Sequence, residues 1–156
     1  MRVKFHNKSG CGLVDILEQE PSPKTISLED FLARPEDFQK KNSFVLRIGS
    51  DQDVEPLKKW LKDIPGIELE FPKFTDGRAF SKAYRLKKYY GFMGELWAVG
   101  EILPDQVLFL VRCGFDGVNF KEPVKKETLV FLLNKFSYAY QGAVDEHISL
   151  TPLEPK

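Results

Sequence analysis

At 156 residues, with 42% hydrophobic and 29% charged side chains, the chain has the length of one domain and the composition of a folded globular protein. Lys plus Arg and Asp plus Glu balance at 23 each, so no net field draws it to nucleic acid or to an anionic membrane. Cys11 and Cys113 stand far apart and His6 and His147 are the only histidines, a set that supports neither a disulfide scaffold nor a protein-held metal or iron-sulfur cluster. The first residues lack the apolar run of a secretory signal and no stretch approaches the roughly 20 apolar residues of a bilayer span. The cytoplasm is the expected compartment.

In chain order, RVKFH and GLVDILE flank the turn-forming residues Asn7 to Gly10 and predict a β-hairpin, which with the Pro21 and Pro23 connector forms an appendage over residues 1–26. Ser27, three residues before Asp30, is placed to cap a short helix that Pro35 breaks into two pieces. FVLRI, Phe44 to Ile48, has the apolar run of a buried parallel strand. Asp53 is a candidate cap for a helix carrying Val54, Leu57, Trp60 and Leu61 on one face, stopped by Pro65 and Gly66.

Ile67, Leu69 and Phe71 alternate with Glu68 and Glu70, predicting a strand with one wet face or, less simply, one face turned into a polar cleft. Ala79, Phe80, Ala83, Leu86 and Tyr90 mark the packed side of the next helix, which Gly91 ends. Leu96 to Val99 is a strand, Pro104 starts a helix that runs to Gly114, and Gly117 to Phe120 is a further strand. Pro123 opens a last helix with Leu129, Leu132, Leu133, Phe136 and Tyr140 on one face and Gly142 at its end. The fold class is therefore α/β: about four βα units over residues 43–142 with a mainly parallel sheet, either open or half of a β/α barrel, in a single domain 1–156.

In parallel sheets ligands sit at the carboxyl ends of the strands, and polar residues of this chain collect there. On the helix after FTDG, Arg78, Ser81 and Arg85 fall within about one sixth of the circumference, a stripe suited to phosphate, sulfate, sulfite or a carboxylate. Asp76 as a helix cap and the arginines as a solvated face is the plainer reading. Lys73, Asp76, Glu101 and Asp105 leave neighbouring strands and are candidates for proton transfer, although each also suits a cap or a loop charge. Phe109, in line with Asp105 and Arg112, is a candidate interface anchor, with Arg112 beside it, unless it packs under a neighbouring helix. GxGxxG, GxxxxGK, HExxH and GxSxG are all absent, so no cofactor is predicted and a Rossmann-bound nicotinamide or flavin is disfavoured. A half-barrel would leave edges that a second copy covers, which makes a homodimer an expectation.

The run FPKFTDGRAFSKAYRLKKYYGFMGELWAVGEILPDQVLFLVRCGFDGVNF, together with KFSYAYQGAVDE, resembles the bacterial family of unknown function encoded beside the sulfite reductase haemoprotein in assimilatory sulfur gene clusters. The resemblance rests on Asp76, Gly77, Arg78, Ser81, Gly94, Glu95, Leu96, Gly100, Asp105, Gln106 and the run Arg112 to Asp116. It implies a role around sulfite reduction, with the haemoprotein as partner, and members are sometimes labelled oxidoreductases. Glu101 stands where relatives usually carry Asp, and Lys87 and Lys88 where Arg and Glu are common, which suggests a member-specific charge on that outer helix face. Two functions follow: an accessory protein that binds a small oxyanion or the reductase, or an enzyme acting on a small anionic sulfur or phosphorylated substrate, for which redox work would need a borrowed cofactor.

Overall fold

A computed structural model of the chain describes residues 1–6, 13–17, 23–38, 43–136, 138–139, 143–144 and 148–149. Its central feature is a seven-stranded sheet in the order β2-β1-β7-β6-β5-β4-β3. Strands β3 (Lys24–Ser27), β4 (Phe44–Ile48), β5 (Gly66–Phe71), β6 (Glu95–Gly100) and β7 (Gly117–Asn119) are parallel and lie side by side in chain order. Right-handed crossovers between strands ordered this way carry the connecting helices to the same face. This is the strand order of half a β/α barrel, here laid out as part of an open sheet. β1 (Arg2–His6) and β2 (Leu13–Leu17) form the antiparallel hairpin expected from the sequence.

Burial follows the pleat. Leu46, Ile48, Ile67, Leu69, Phe71, Leu96, Ala98 and Val118 point to the helical side and join one core with Phe31 of α1 (Leu28–Ala33), Ala79 and Ala83 of α2 (Arg78–Tyr84), Val107 and Leu110 of α3 (Val107–Arg112), and Leu129 of α4 (Lys126–Leu133). The opposite side carries Arg47 paired with Glu68 at 2.7 Å, Lys4 paired with Glu95, and the Arg2 guanidinium 4.1 Å above the Trp97 ring. Alternate residues face opposite sides of a strand, which is why the Glu68 and Glu70 pattern foretold a polar face. Burial works against ionisation of Glu95, but Lys4 and Trp97 outweigh it and hold the carboxyl below its ordinary range.

Several expectations need correction. The hairpin is no appendage: β1 pairs with β7 and caps what would be its open edge, with the Phe5 amide donating to Asp116 O at 2.8 Å. Lys24–Ser27, taken for connector, is a fifth parallel strand. The helix expected after Asp53 reduces to a 3₁₀ turn, Glu55–Leu57, followed by further turns, in which the amides of Leu57, Lys58, Trp60 and Asp63 reach back three residues and not four. Its stripe is nonetheless right, since Val54, Leu57 and Leu61 are buried. The last helix starts at Lys126 rather than Pro123 and ends at Leu133. Phe136, expected on its packed face, is exposed, and Tyr138–Ala139 forms a two-residue strand, β8, beside β9 (Ile148–Ser149). The hairpin turn at 7–10, Tyr140, Gly142 and most of the tail lie outside the described residues.

Local signals elsewhere act as their chemistry dictates. Ser27 Oγ accepts the Asp30 amide at 3.1 Å, and Pro35 starts a separate 3₁₀ turn, Pro35–Asp37. The helix begun as α2 widens into a π turn over Arg85–Tyr89 and ends at Gly91, whose φ of 65 lets the Phe92 amide reach back to Leu86 O at 2.9 Å. No helix among the described residues is long and apolar enough to cross a membrane.

Candidate functional site

Among the described residues, two hollows open at the carboxyl ends of the parallel strands. The first lies between the loop after β4 and the outer side of α2, has a volume of about 330 Å³, and is bounded by Ser50, Asp51, Gln52, Asp53, Arg78, Ser81, Lys82 and Arg85. The loop is shaped by Gln52, whose side-chain oxygen accepts the Gly49 amide at 2.7 Å while its amide group donates to Glu29 at 2.9 Å. Asp53 Oδ1 accepts the amide of Val54 at 2.7 Å, and Asp76 Oδ1 accepts that of Arg78 at 3.2 Å.

The cations of this hollow are held in place. Arg78 donates to Asp76 at 2.7 Å and to Ser50 at 2.9 Å, and its guanidinium holds the Asp76 carboxyl far below the usual carboxylate range. Arg85 reaches Asp53 at 3.2 Å, Glu55 at 3.0 Å and the Tyr90 hydroxyl at 2.7 Å, and that hydroxyl in turn donates to Glu55. The π turn, closed by the Tyr90 amide on Arg85 O at 3.0 Å, lets residues five apart meet in this way. Such turns occur as single insertions, frequently at functional sites. Lys58 and then Tyr90 depress the Glu55 pKa by hydrogen bonding to its charged form.

Lys82 differs from these arginines. Its ammonium donates to Gly49 O at 2.6 Å, its one hydrogen-bond partner among the described residues. Burial and then the neighbouring Arg78 push its pKa down, against the pull of Asp51, Asp53 and Asp76. Beside it, Ser81 Oγ has no partner among the described residues and is exposed. Three cations and the carboxylates of Asp51 and Asp53 line the hollow, and Arg78 and Arg85 are also bonded to Asp76 and Glu55 beside it, so among the lining cations it is Lys82 that has no carboxylate salt-bridged to it among the described residues.

The second hollow, of about 530 Å³, is largely apolar and lies over the ends of β6 and β7. Phe74, Ile102, Leu103, Phe120, Pro123 and Val124 line it together with Glu101 and Lys121, which pair at 3.3 Å. Gly100, at φ 108, brings the end of β6 so close to β5 that the Glu101 amide donates to Phe71 O at 2.8 Å. Gln106 ties the loops together: its oxygen accepts the Leu103 amide at 3.0 Å and its amide group donates to Phe74 O at 3.1 Å.

The stripe Arg78, Ser81 and Arg85 thus comes together in one hollow. Lys73, Asp76, Glu101 and Asp105 do not assemble: Asp76 is engaged by Arg78, Glu101 by Lys121, and Lys73 and Asp105 line neither hollow. Phe109 is 52% exposed, its ring edge-on to Phe80 at 4.8 Å, and the half-buried Arg112 closes the same helix. Lys87 is not on an outer face: its ammonium is tied to Gly94 O at 2.9 Å and to Asp116 at 2.8 Å, leaving Lys88 as the exposed member of the pair. Sequence reasoning missed Lys82, Gln106, Phe74 and Tyr90. For Lys82 a signal existed, since it stands four residues after Arg78 and three before Arg85. Among the described residues, no three His, Cys, Asp or Glu side chains gather into a group that would hold a metal.

No curated protein matches the chain. The model of one family does match, over residues 45–151, a span that contains every lining residue of both hollows. With well over half of its length matched, the chain belongs to that family, the bacterial proteins of unknown function designated DUF934.

Proposed function

We propose that this protein is a binding protein for a small oxyanion, acting as an accessory to assimilatory sulfite reduction, with Arg78, Ser81, Lys82 and Arg85 as its recognition side chains. The observation that carries the reading is Lys82, a partly desolvated ammonium beside Arg78 with a single hydrogen-bond partner among the described residues. Desolvation and like-charge repulsion both disfavour its charged form. The opposite charge of an oxyanion in the hollow offsets both, and it offers acceptors to the Lys82 ammonium and the Ser81 hydroxyl, which charge-assisted hydrogen bonds reward. The sulfite setting and the haemoprotein partner come from the family resemblance.

Calorimetric titration with sulfite, sulfate and phosphate tests the reading. One anion is expected per chain, and Arg78→Ala should weaken it about tenfold with the circular dichroism spectrum unchanged. Equal affinities of variant and parent would remove this site. Capture of the sulfite reductase haemoprotein from its own cell extract tests the accessory role separately.

A second reading, an enzyme acting on a small anionic substrate, draws on the same lysine. A lowered ammonium pKa eases loss of the lysine proton, and Asp51 lines the same hollow. Turnover of sulfur oxyanions by the purified protein, abolished in Lys82→Met, would favour it over binding alone.

A further inference from the structure

We infer that the two hollows take one ligand, an amphiphilic oxyanion: a sulfonate, sulfate ester or phosphate monoester carrying an aryl or short alkyl body. Its head group lies among Arg78, Ser81 and Lys82, and its body lies in the apolar hollow against Phe74, Leu103 and Phe120. The inference rests on the oxyanion reading above and names the class of molecule that bears the anion.

Three observations converge. The hollows share the carboxyl end of the sheet and are divided by one stretch of chain, since Phe74 lines the apolar hollow and Arg78 the polar one. Within that stretch the Asp76 amide turns back onto Lys73 O at 2.9 Å, so the divide is a single turn of chain, well short of the roughly 14 Å of four extended residues, and an elongated amphiphile spans it. The apolar hollow, at about 530 Å³, is of the size that encloses small organic ligands. An inorganic oxyanion would leave it empty, with Phe74 50% and Leu103 43% exposed to water at its wall.

Charge distinguishes the ends. In the apolar hollow Glu101 and Lys121 neutralise each other and Glu122 offsets Lys125, so its lining carries no net charge. In the polar hollow the arginines are already paired with carboxylates, whereas the Lys82 ammonium gives one hydrogen bond, to Gly49 O, and has further donors to offer beside the Ser81 hydroxyl. A ligand complementary to both is therefore negative at one end and uncharged and apolar at the other. Gln106 fixes two walls of the apolar hollow, including the Phe74 side that borders the dividing turn, by holding Phe74 O and the Leu103 amide at once.

The test is a set of titrations with 8-anilinonaphthalene-1-sulfonate, with its uncharged counterpart N-phenyl-1-naphthylamine, and with inorganic sulfite. One sulfonate should bind per chain, about tenfold or more tighter than either of the others. Lys82→Met should remove the advantage over the uncharged amine. Phe74→Ser should weaken the sulfonate about tenfold while leaving inorganic sulfite unchanged. If sulfite binds but the sulfonate gains nothing over it, or Phe74→Ser leaves the sulfonate unaffected, the single-ligand site is overturned and the oxyanion reading stands. If the sulfonate and the uncharged amine bind alike and inorganic anions do not bind, the oxyanion reading falls and the inference falls with it.

Discussion

Gly100→Ala probes the junction on which the apolar hollow is built. A methyl group there would lie 2.2 Å from Phe71 O, and the residue's φ is 108, a conformation that L side chains rarely adopt. The backbone strain alone costs about 1–3 kcal/mol. Carbon and oxygen approach no closer than about 3.3 Å without penalty, so the ends of β5 and β6 must part by roughly 1 Å. That movement sacrifices the hydrogen bond from the Glu101 amide to Phe71 O, worth about 1 kcal/mol. The sum is about 3 kcal/mol, and at about 2–4 °C per kcal/mol for a chain of this size Tm should fall by about 10 °C. Gly91→Ala supplies the control: φ is 65 and nothing lies within 4 Å of the added methyl, so only the left-handed strain of about 1–2 kcal/mol remains. Thermal unfolding followed by circular dichroism measures both. Equal losses in the two variants would refute the close approach of β5 and β6, and with it the placement of Glu101 and Ile102 at the hollow.

How much of this was legible from the residues follows the range over which each interaction acts. Signals that work within one turn were readable: Ser27 as a cap, Pro35 as a break and Gly91 as a terminator. So was the alternation of Ile67, Leu69 and Phe71, because the pleat imposes its period on any strand with one buried face. β3 was not, since only Ile26 of its four residues is buried and two prolines precede it. The π turn also escaped notice, because one inserted residue leaves the apolar pattern of Ala79, Ala83 and Leu86 intact. At the site, helical spacing alone gathered Arg78, Ser81 and Arg85. What it left out is tertiary: Lys82 is committed to Gly49 O across 33 positions, and Arg85 to Asp53 across 32. The sign of the hollow depends on those distant loops, so a stripe of arginines did not by itself establish an electropositive cleft. Lys87 shows the same limit, for its helix position looked outward while Gly94 O and Asp116 drew its ammonium in.

Two further outcomes are expected. Phe109→Ala removes a ring that is half exposed and packed edge-on against Phe80, so stability should fall by no more than about 1–2 kcal/mol. If this face is where the haemoprotein docks, capture of that partner should drop about tenfold or more, as for an aromatic anchor; undiminished capture would exclude Phe109 from the interface. The second concerns pH and is set by Lys82. Burial and Arg78 place its pKa below the ordinary lysine value, which is about 10.4. A bound oxyanion adds an opposite charge and raises that pKa again. Affinity is therefore full below the pKa of the free protein, declines as pH rises through it, and levels off only above the pKa of the complex. Sulfate is the ligand of choice because it stays fully ionised throughout, whereas sulfite titrates near neutrality and would add a slope of its own. Calorimetry between pH 7 and about 10.4 should show sulfate affinity falling by up to about tenfold per pH unit in the upper part of the range. Proton uptake on binding should accompany the fall, seen as a dependence of the heat on buffer ionisation enthalpy. Lys82→Met should bind more weakly and with a flatter profile. A flat profile in the parent protein would mean that the Lys82 ammonium does not contact the anion, and recognition would then have to rest on the arginines, whose best acceptors are already the carboxylates of Asp76, Asp53 and Glu55.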